Sequence, residues 1–318
     1  MRILFITSNN VGDAVLNNGL LAHLIAQSDN PEVTVVAGRA SSSLYKAVPG
    51  LRKLIVLKKE RCHAHWFRLW KQVGWQRWDV VVDMRRTVIG HVLWTRKHLV
   101  APYKDRSRHR VAELADLMPG GKMPDPVAWF SKEDESKSAQ WIAEGETVLA
   151  LGPAANWHGK QWPSERFVAL ARALTEEAGP LAGARIAVFA AAGEREQIEN
   201  VLEAFPEEQL IDLVGKTDLG EAAACLKRCA YYIGNDSGLM HLAAACDIPT
   251  LGLFGPSSEV RYHPWGEKAQ WVRTPESFDE IVSAPDYDRH KPVSYMVNLT
   301  LEKVLEAARS MISRHSKS

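Results

Sequence analysis

The sequence is short of the features that mark the more specialised protein classes. Its four cysteines, Cys62, Cys225, Cys229 and Cys246, are too few and too scattered for a disulfide framework. Cys225 and Cys229 sit four apart in a helical stretch with no histidine or second cysteine pair at zinc spacing, so they read as small core residues of a protein in a reducing compartment. No run approaches the ~20 apolar residues that cross a bilayer. The opening MRILFITSNNVGDAV is broken by Ser8, Asn9, Asn10, Gly12 and Asp13, a pattern that does not fit a secretory signal. A G-x-G-x-x-G dinucleotide fingerprint is absent, because Asn10-Val11-Gly12 supplies a single glycine after the first apolar run. An excess of one charge is lacking too: 39 Lys and Arg stand against 38 Asp and Glu, so the whole chain does not read as a nucleic-acid binder.

What is present is an ordinary globular composition, 46% hydrophobic and 24% charged over 318 residues, a length that leans toward two domains. The charges are unevenly spread. Residues 1–110 hold 19 Lys and Arg against 7 Asp and Glu, and the remainder holds 20 against 31. A basic first half and an acidic second half imply two lobes with different partners, the first partner anionic. The competing view is chance clustering on solvated faces.

Periodicity gives the architecture. A short apolar run at 3–7 is followed by a polar turn and then by Val15, Leu16, Leu20, Leu21, Leu24 and Ile25 on one helical face. Further β-branched runs lie at 33–37, 54–57 and 80–83. A helix over 111–118 leads into 119–138, where proline, glycine and charge gather as in a linker. The alternation restarts with strands at 148–151, 185–190, 210–213, 231–234 and 250–254, helices at 164–177, 194–204, 219–227 and 238–245 between them, and a last helix at 301–312. Strands alternating with helices predict parallel sheets, here as two Rossmann-like lobes with a cleft between them.

Three segments carry candidate chemistry. In 231–256, YYIGNDSGLMHLAAACDIPTLGLFGP, a strand ends at Asn235-Asp236, Ser237 and Gly238 open a helix, and His241 shares a face with Ser237. Free N–H groups at such a helix start suit a phosphate, and glycine allows close approach. The plainer alternative makes Asp236 or Ser237 a cap and His241 a core residue. In 152–167, GPAANWHGKQWPSERF, a loop carries Asn156 and Lys160 toward a helix that Ser164 could cap. Lys160 could set an ammonium against a diphosphate leaving group, as a divalent metal does elsewhere, or be a solvated lysine. In the first loop, Asp13 lies at a strand's carboxyl end, where open α/β sheets bind ligands. It is either a general base or the cap of the 14–27 helix.

The run GNDSGLMHLAAACDIPTLGLFGP, with Arg261 and Pro264-Trp265-Gly266 after it, resembles the signature of glycosyltransferase family 9, the ADP-heptose:lipopolysaccharide heptosyltransferases. The likeness extends to Gly159-Lys160-Gln161-Trp162-Pro163, to the opening RILFITSNNVGDAVL and to Met296. It spans nearly the whole chain apart from 60–140.

This resemblance implies a GT-B architecture of two Rossmann-like domains facing a central cleft, with a helix closing the chain. An acceptor-binding domain over 1–130 would be followed by a nucleotide-sugar domain over 131–318. It implies an inverting, metal-independent transfer of a heptose or related sugar from a nucleotide diphosphate sugar, ADP-linked, to a lipopolysaccharide core or other anionic surface glycan. Asp13 would deprotonate the acceptor, while Lys160 and the Ser237-Gly238 helix start neutralise the departing diphosphate. Asp236 and His241 would lie near sugar and phosphates, Glu194 or Glu196 would meet the ribose hydroxyls, and Asn156 would replace a hydroxyl that relatives carry there. The chain departs from the family pattern at Ala154-Ala155-Asn156 and at Asn17-Asn18-Gly19.

The resemblance also gives the basic lobe a meaning. Arg85, Arg86, Arg106 and Arg108, with Arg96, Lys97, Lys104 and Arg110 nearby, would recognise acceptor phosphates and carboxylates or an anionic membrane surface. Trp66, Phe67, Trp70, Trp75 and Trp78 could stack on sugars or lie at a membrane, although core packing at helical spacing is the favoured reading. The expected setting is cytoplasmic, extended to the cytoplasmic face of the inner membrane, with no nucleic-acid partner. Three alternatives stand beside this: the same fold with another donor or acceptor, a silent glycan-binding protein, and a nicotinamide oxidoreductase, the weakest because the glycine fingerprint is missing. Asp13, Lys160, Asp236 and His241 together speak against the second.

Overall fold

The computed structural model describes residues 1–58, 64–121 and 123–316; Cys62 lies outside them. The chain divides into two compact units, Met1–Ser131 and Lys132–Ser318.

In the first unit, strands β1 (Arg2–Ile6), β2 (Glu32–Gly38), β3 (Leu51–Leu57), β4 (Trp78–Asp83) and β5 (Thr95–Val100) alternate with helices α1 (Val11–Ala26), α2 (Ala64–Val73), α3 (Ile89–Val92) and α4 (Arg110–Leu114). The strands pair in parallel in the order β3-β2-β1-β4-β5. Central β1 reads RILFI, and its last four residues are buried, as expected for a strand covered on both faces. Leu69 and Val73 of α2 pack on that sheet with Ile6, Val81 and Trp78.

The second unit repeats the grammar. Its strands are β6 (Val148–Gly152), β7 (Arg185–Val188), β8 (Leu210–Asp212), β9 (Tyr231–Asn235), β10 (Thr250–Phe254) and β11 (Ala269–Arg273). Its helices are α5 (Lys132–Trp141), α6 (Ser164–Thr175), α7 (Glu199–Glu203), α8 (Leu219–Arg228), α9 (Gly238–Ala245), α10 (Glu259–Tyr262), α11 (Phe278–Ser283) and α12 (Leu301–His315). The parallel order β11-β10-β9-β6-β7-β8 is doubly wound. The closing helix α12 packs on α6, burying Val304, Ala308 and Met311 in the unit's own core.

Each sheet reverses its winding at one point, between β1 and β4 in the first and between β6 and β9 in the second. Chains leaving neighbouring strands there turn to opposite faces, which opens a crevice at the carboxyl ends. Asp13 follows β1, Lys160 follows β6 and Asp236 follows β9, so these candidate residues lie at the reversals.

Several expectations are corrected. The linker over 119–138 contains the start of α5, and the helix over 194–204 is a 3-10 turn, Ala192–Ile198, followed by α7. Strands β5 and β11 were not foreseen. Cys225 and Cys229 are buried core residues as expected, Cys246 is buried too, and burial pushes the Cys225 and Cys246 thiols up to about 12. Among the described residues no helix is long and apolar enough to cross a membrane.

Candidate functional site

The second unit's site starts from one buried amide. Asn235, the last residue of β9, is fully buried; its side-chain N–H donates to the Pro153 carbonyl at 2.7 Å, and its oxygen accepts the Trp162 N–H at 3.1 Å. Both ends of the loop that leaves β6 are thereby tied to the end of β9. Trp162 is 1% exposed, lies edge-on to Phe167 at 5.0 Å, and donates its indole N–H to the Leu299 carbonyl at 2.7 Å. Gln161 binds the Ala155 carbonyl at 3.0 Å and Gln197 at 2.5 Å, linking the loop to the turn that carries Glu194. Sequence reasoning names Asn235 and Gln161 without giving either a role and passes over Gln197. The asparagine inside the quoted GNDSG run was the available signal.

Strand approach is also close here. Gly152 pairs with Gly234, and a Cβ on either would stand 1.9 or 2.4 Å from the Tyr232 hydroxyl, so neither can carry a side chain without displacing that ring.

On this frame Lys160 reaches Asp236. Its ammonium donates to Asp236 Oδ2 at 2.5 Å, with the lysine side chain 23% and the aspartate 5% exposed. His241 Nε2 stands 4.0 Å from the other carboxylate oxygen. Burial acts to raise the Asp236 pKa, but the Lys160 charge, then His241, then the Lys160 hydrogen bond outweigh it, and the carboxyl is held below the ordinary carboxylate range. The carboxylate therefore stays ionised and fixes a cation beside the start of α9. There Ser237 is the N-cap residue but makes no side-chain capping bond. The capping alternative for Asp236 and Ser237 is thus corrected: one carboxylate holds a lysine and the hydroxyl does not cap. First-turn N–H groups of α9 have no acceptor within the helix and favour negative charge. His241 is buried as a core residue would be, yet it faces Asp236.

The remaining donor-side candidates are less engaged. Asn156 is exposed on the same loop. Glu194 is half-buried and accepts the Ala191 N–H at 2.9 Å, while Glu196 is exposed. Ser164 does not cap α6: Pro163 holds that position, and the serine hydroxyl accepts from Asn200 at 2.7 Å.

In the first unit Asp13 is half-buried in the first turn of α1. Asn10 is the N-cap residue, so the reading of Asp13 as that helix's cap is corrected. The helix start is braced by the buried Tyr45 hydroxyl, which shares a 2.7 Å hydrogen bond with Thr7 and reaches the Ala14 carbonyl at 3.2 Å. The basic residues diverge. Arg85 is half-buried over Trp66 at 4.9 Å, and burial lowers its pKa against the opposing pull of Asp83. Arg86 takes a left-handed backbone at φ 55°, donates to the Ala101 carbonyl at 2.6 Å and lies over Tyr103. Arg106 is exposed. Arg108 is forked onto Asp116 at 3.0 and 3.1 Å. Arg110 is corrected outright: it is buried against Glu113 at 2.8 Å and Asn17 at 3.3 Å.

Among the aromatic residues, Trp78 is buried and Trp66 and Trp70 pack against the core. Phe67 and Trp75 are 61% and 83% exposed, which corrects the core reading for those two.

The family model of glycosyltransferase family 9 (heptosyltransferase) matches residues 83–286. The chain belongs to glycosyltransferase family 9. It is therefore a glycosyltransferase, and the matched stretch holds Lys160, Asp236, Ser237, Gly238 and His241 but not Asp13. A lipooligosaccharide heptosyltransferase 2 of Haemophilus influenzae is 23% identical over 355 residues, covering 99% of this chain and 100% of that one. Among solved structures, E. coli ADP-heptose LPS heptosyltransferase II superposes with a TM-score of 0.76 at 20% identity, covering 99% of this chain and 100% of that one. E. coli heptosyltransferase WaaC with ADP-2-deoxy-2-fluoro heptose gives 0.68 at 18% identity, covering 98% and 99%. These likenesses show the GT-B fold of the family 9 enzymes.

Proposed function

We propose that this family 9 enzyme moves a heptose from ADP-heptose to a lipopolysaccharide-core or related anionic glycan acceptor, with inversion and without a metal. The observation that carries this reading is the Lys160–Asp236 pair at the second sheet's reversal, directly before the helix that begins at Gly238. A diphosphate leaving group needs cationic and N–H partners as its bond to the sugar breaks, and this arrangement offers both. The relatives named above are heptosyltransferases, and one neighbour was solved with an ADP-heptose analogue.

In the proposed reaction the acceptor hydroxyl oxygen bonds to the anomeric carbon while Asp13 takes its proton. The carbon–oxygen bond to the β-phosphate breaks, and its electron pair leaves with ADP. Lys160 and the α9 N–H groups at Ser237 and Gly238 hold that charge. Asp236 orients Lys160 and His241, Glu194 or Glu196 meets the ribose, and Asn156 adds a side-chain hydrogen bond to the phosphates. Residues 1–130 serve as the acceptor domain and 131–318 as the donor domain. Of the four arginines assigned to the acceptor, Arg86 and Arg106 are exposed, and the half-buried Arg85 and Arg108 complete the basic rim. The protein works in the cytoplasm as a peripheral partner of the inner membrane, a reading supported by its basic first third and by exposed Phe67, Trp75 and Trp94.

A panel of nucleotide sugars, each offered with a lipopolysaccharide-core acceptor, tests the reading. ADP-heptose supports transfer, and Asp13→Ala lowers turnover by ~10²–10⁴-fold while ADP binding survives. Near-normal turnover in that variant removes Asp13 from the mechanism.

A further inference from the structure

Lys160 stands on a short turn, His158–Lys160, whose own backbone bonds are few: Lys160 N–H to the Trp157 carbonyl at 3.0 Å, and Gln161 N–H to the His158 carbonyl at 3.0 Å. A three-residue turn does not by itself fix the direction of a lysine side chain. The residues on either side of Lys160 are instead held from outside, by the segment 284–300 that precedes α12. The Trp157 indole N–H donates to the Arg289 carbonyl at 2.9 Å. The Tyr295 N–H donates to the Gly159 carbonyl at 3.0 Å. The Ser294 hydroxyl donates to the Gln161 carbonyl at 2.5 Å and itself accepts the Met296 N–H at 3.0 Å. Positions 157, 159 and 161 are thus each tied to this strap, while the Lys160 side chain points away to Asp236. The fit is tight: a Cβ on Gly159 would lie 2.6 Å from the Trp157 ring and 3.0 Å from Tyr295.

We infer that the 284–300 strap sets the diphosphate preference of the donor site, with Trp157 and Ser294 as positioning residues that aim the Lys160 ammonium at the β-phosphate. This rests on the proposed reading that Lys160 meets that phosphate. A strap that only stabilised the domain would affect all nucleotides alike. A strap that aims one ammonium affects ADP and spares AMP, which has no β-phosphate.

The test is calorimetric titration of ADP and of AMP into the full-length protein carrying Trp157→Phe, Ser294→Ala or Lys160→Met, and into the two double variants with Lys160→Met, with thermal melting of each. Each strap variant weakens ADP about fivefold, the scale of one lost hydrogen bond, and leaves AMP within about twofold. In the Lys160→Met background the strap changes add nothing, because the group they aim is gone. Ser294→Thr keeps the hydroxyl and restores the wild-type ratio of ADP to AMP affinity, which guards against a general folding effect of Ser294→Ala. Equal weakening of ADP and AMP, or the same loss with and without Lys160, overturns the inference while leaving the lysine's role intact. An unchanged ADP affinity in Lys160→Met instead overturns the underlying reading of the donor site.

Discussion

Asp236 does the most with one side chain. It is almost fully buried, yet its pKa is lowered, because the ammonium of Lys160 and the imidazole of His241 oppose the cost of burying a carboxylate. A carboxyl with a lowered folded-state pKa contributes stability that is present above its unfolded value, about 4, and is lost as pH falls through the folded one. Melting curves from pH 7 downward therefore show a loss below about pH 4 that is smaller in Asp236→Asn than in the wild type, the remainder coming from other carboxyls with lowered pKa such as Asp212 and Glu280. At pH 7 that variant is about 3 kcal/mol less stable, since the lysine is left beside an uncharged partner. A variant that melts with the wild-type profile across this range contradicts the assigned pair. Residue identities here were partly legible: Lys160, Asp236 and His241 were singled out from helix-start and loop chemistry. Arg110 was not legible, because its burial depends on Glu113 and Asn17 arriving on two different helices.

Between elements, the central joint is the stitch from β9 to the two ends of the loop after β6. Asn235→Ala leaves the Trp162 N–H and the Pro153 carbonyl without their partner, both at buried residues. A cost of about 2 kcal/mol follows from unpaired buried groups, along with a fall in kcat larger than any change in acceptor KM, because the Lys160 turn shifts. Steady-state kinetics and chemical denaturation check the two parts, and a variant stable and active as wild type would show that the stitch is dispensable. The elements that form it were readable, since β6 and β9 are continuous apolar runs and α9 opens on a serine and a glycine. The elements missed have weak patterns for physical reasons. Strand β5, TRKHLV, is an edge strand with a neighbour on one side only, so it tolerates Arg96 and Lys97 facing outward. Helix α5, KEDESKSAQW, buries Ser138 and little else, and its first-turn Glu133, Asp134 and Glu135 suit a helix start rather than a core face. Charge without apolar periodicity reads as linker.

Across the whole chain, the two units each carry a parallel sheet with its own buried core, and the second includes the closing helix. The repeated βα grammar makes the two parallel sheets legible in the sequence alone, and the uneven charge distribution implies separate partners. The order of the strands was hidden, since it depends on which faces meet after the crossovers, and with it the fact that Asp13 and the Lys160–Asp236 pair lie at the sheet reversals. If donor binding belongs to the second unit, residues 132–318 expressed alone bind ADP within a few-fold of the full chain, read by calorimetry. Loss of binding in a folded fragment would assign part of the donor site to the first unit.

The most direct measurement follows radiolabelled heptose from ADP-heptose into a lipopolysaccharide-core acceptor, with a chelator present, in wild-type protein and in Lys160→Met. Label enters the acceptor with matching ADP release in the wild type, and the rate falls by ~10²–10³-fold in the variant, the scale of losing one preorganised partner of developing charge. Label that stays on the nucleotide in the wild type, or transfer that proceeds unchanged without the lysine's charge, would contradict the account.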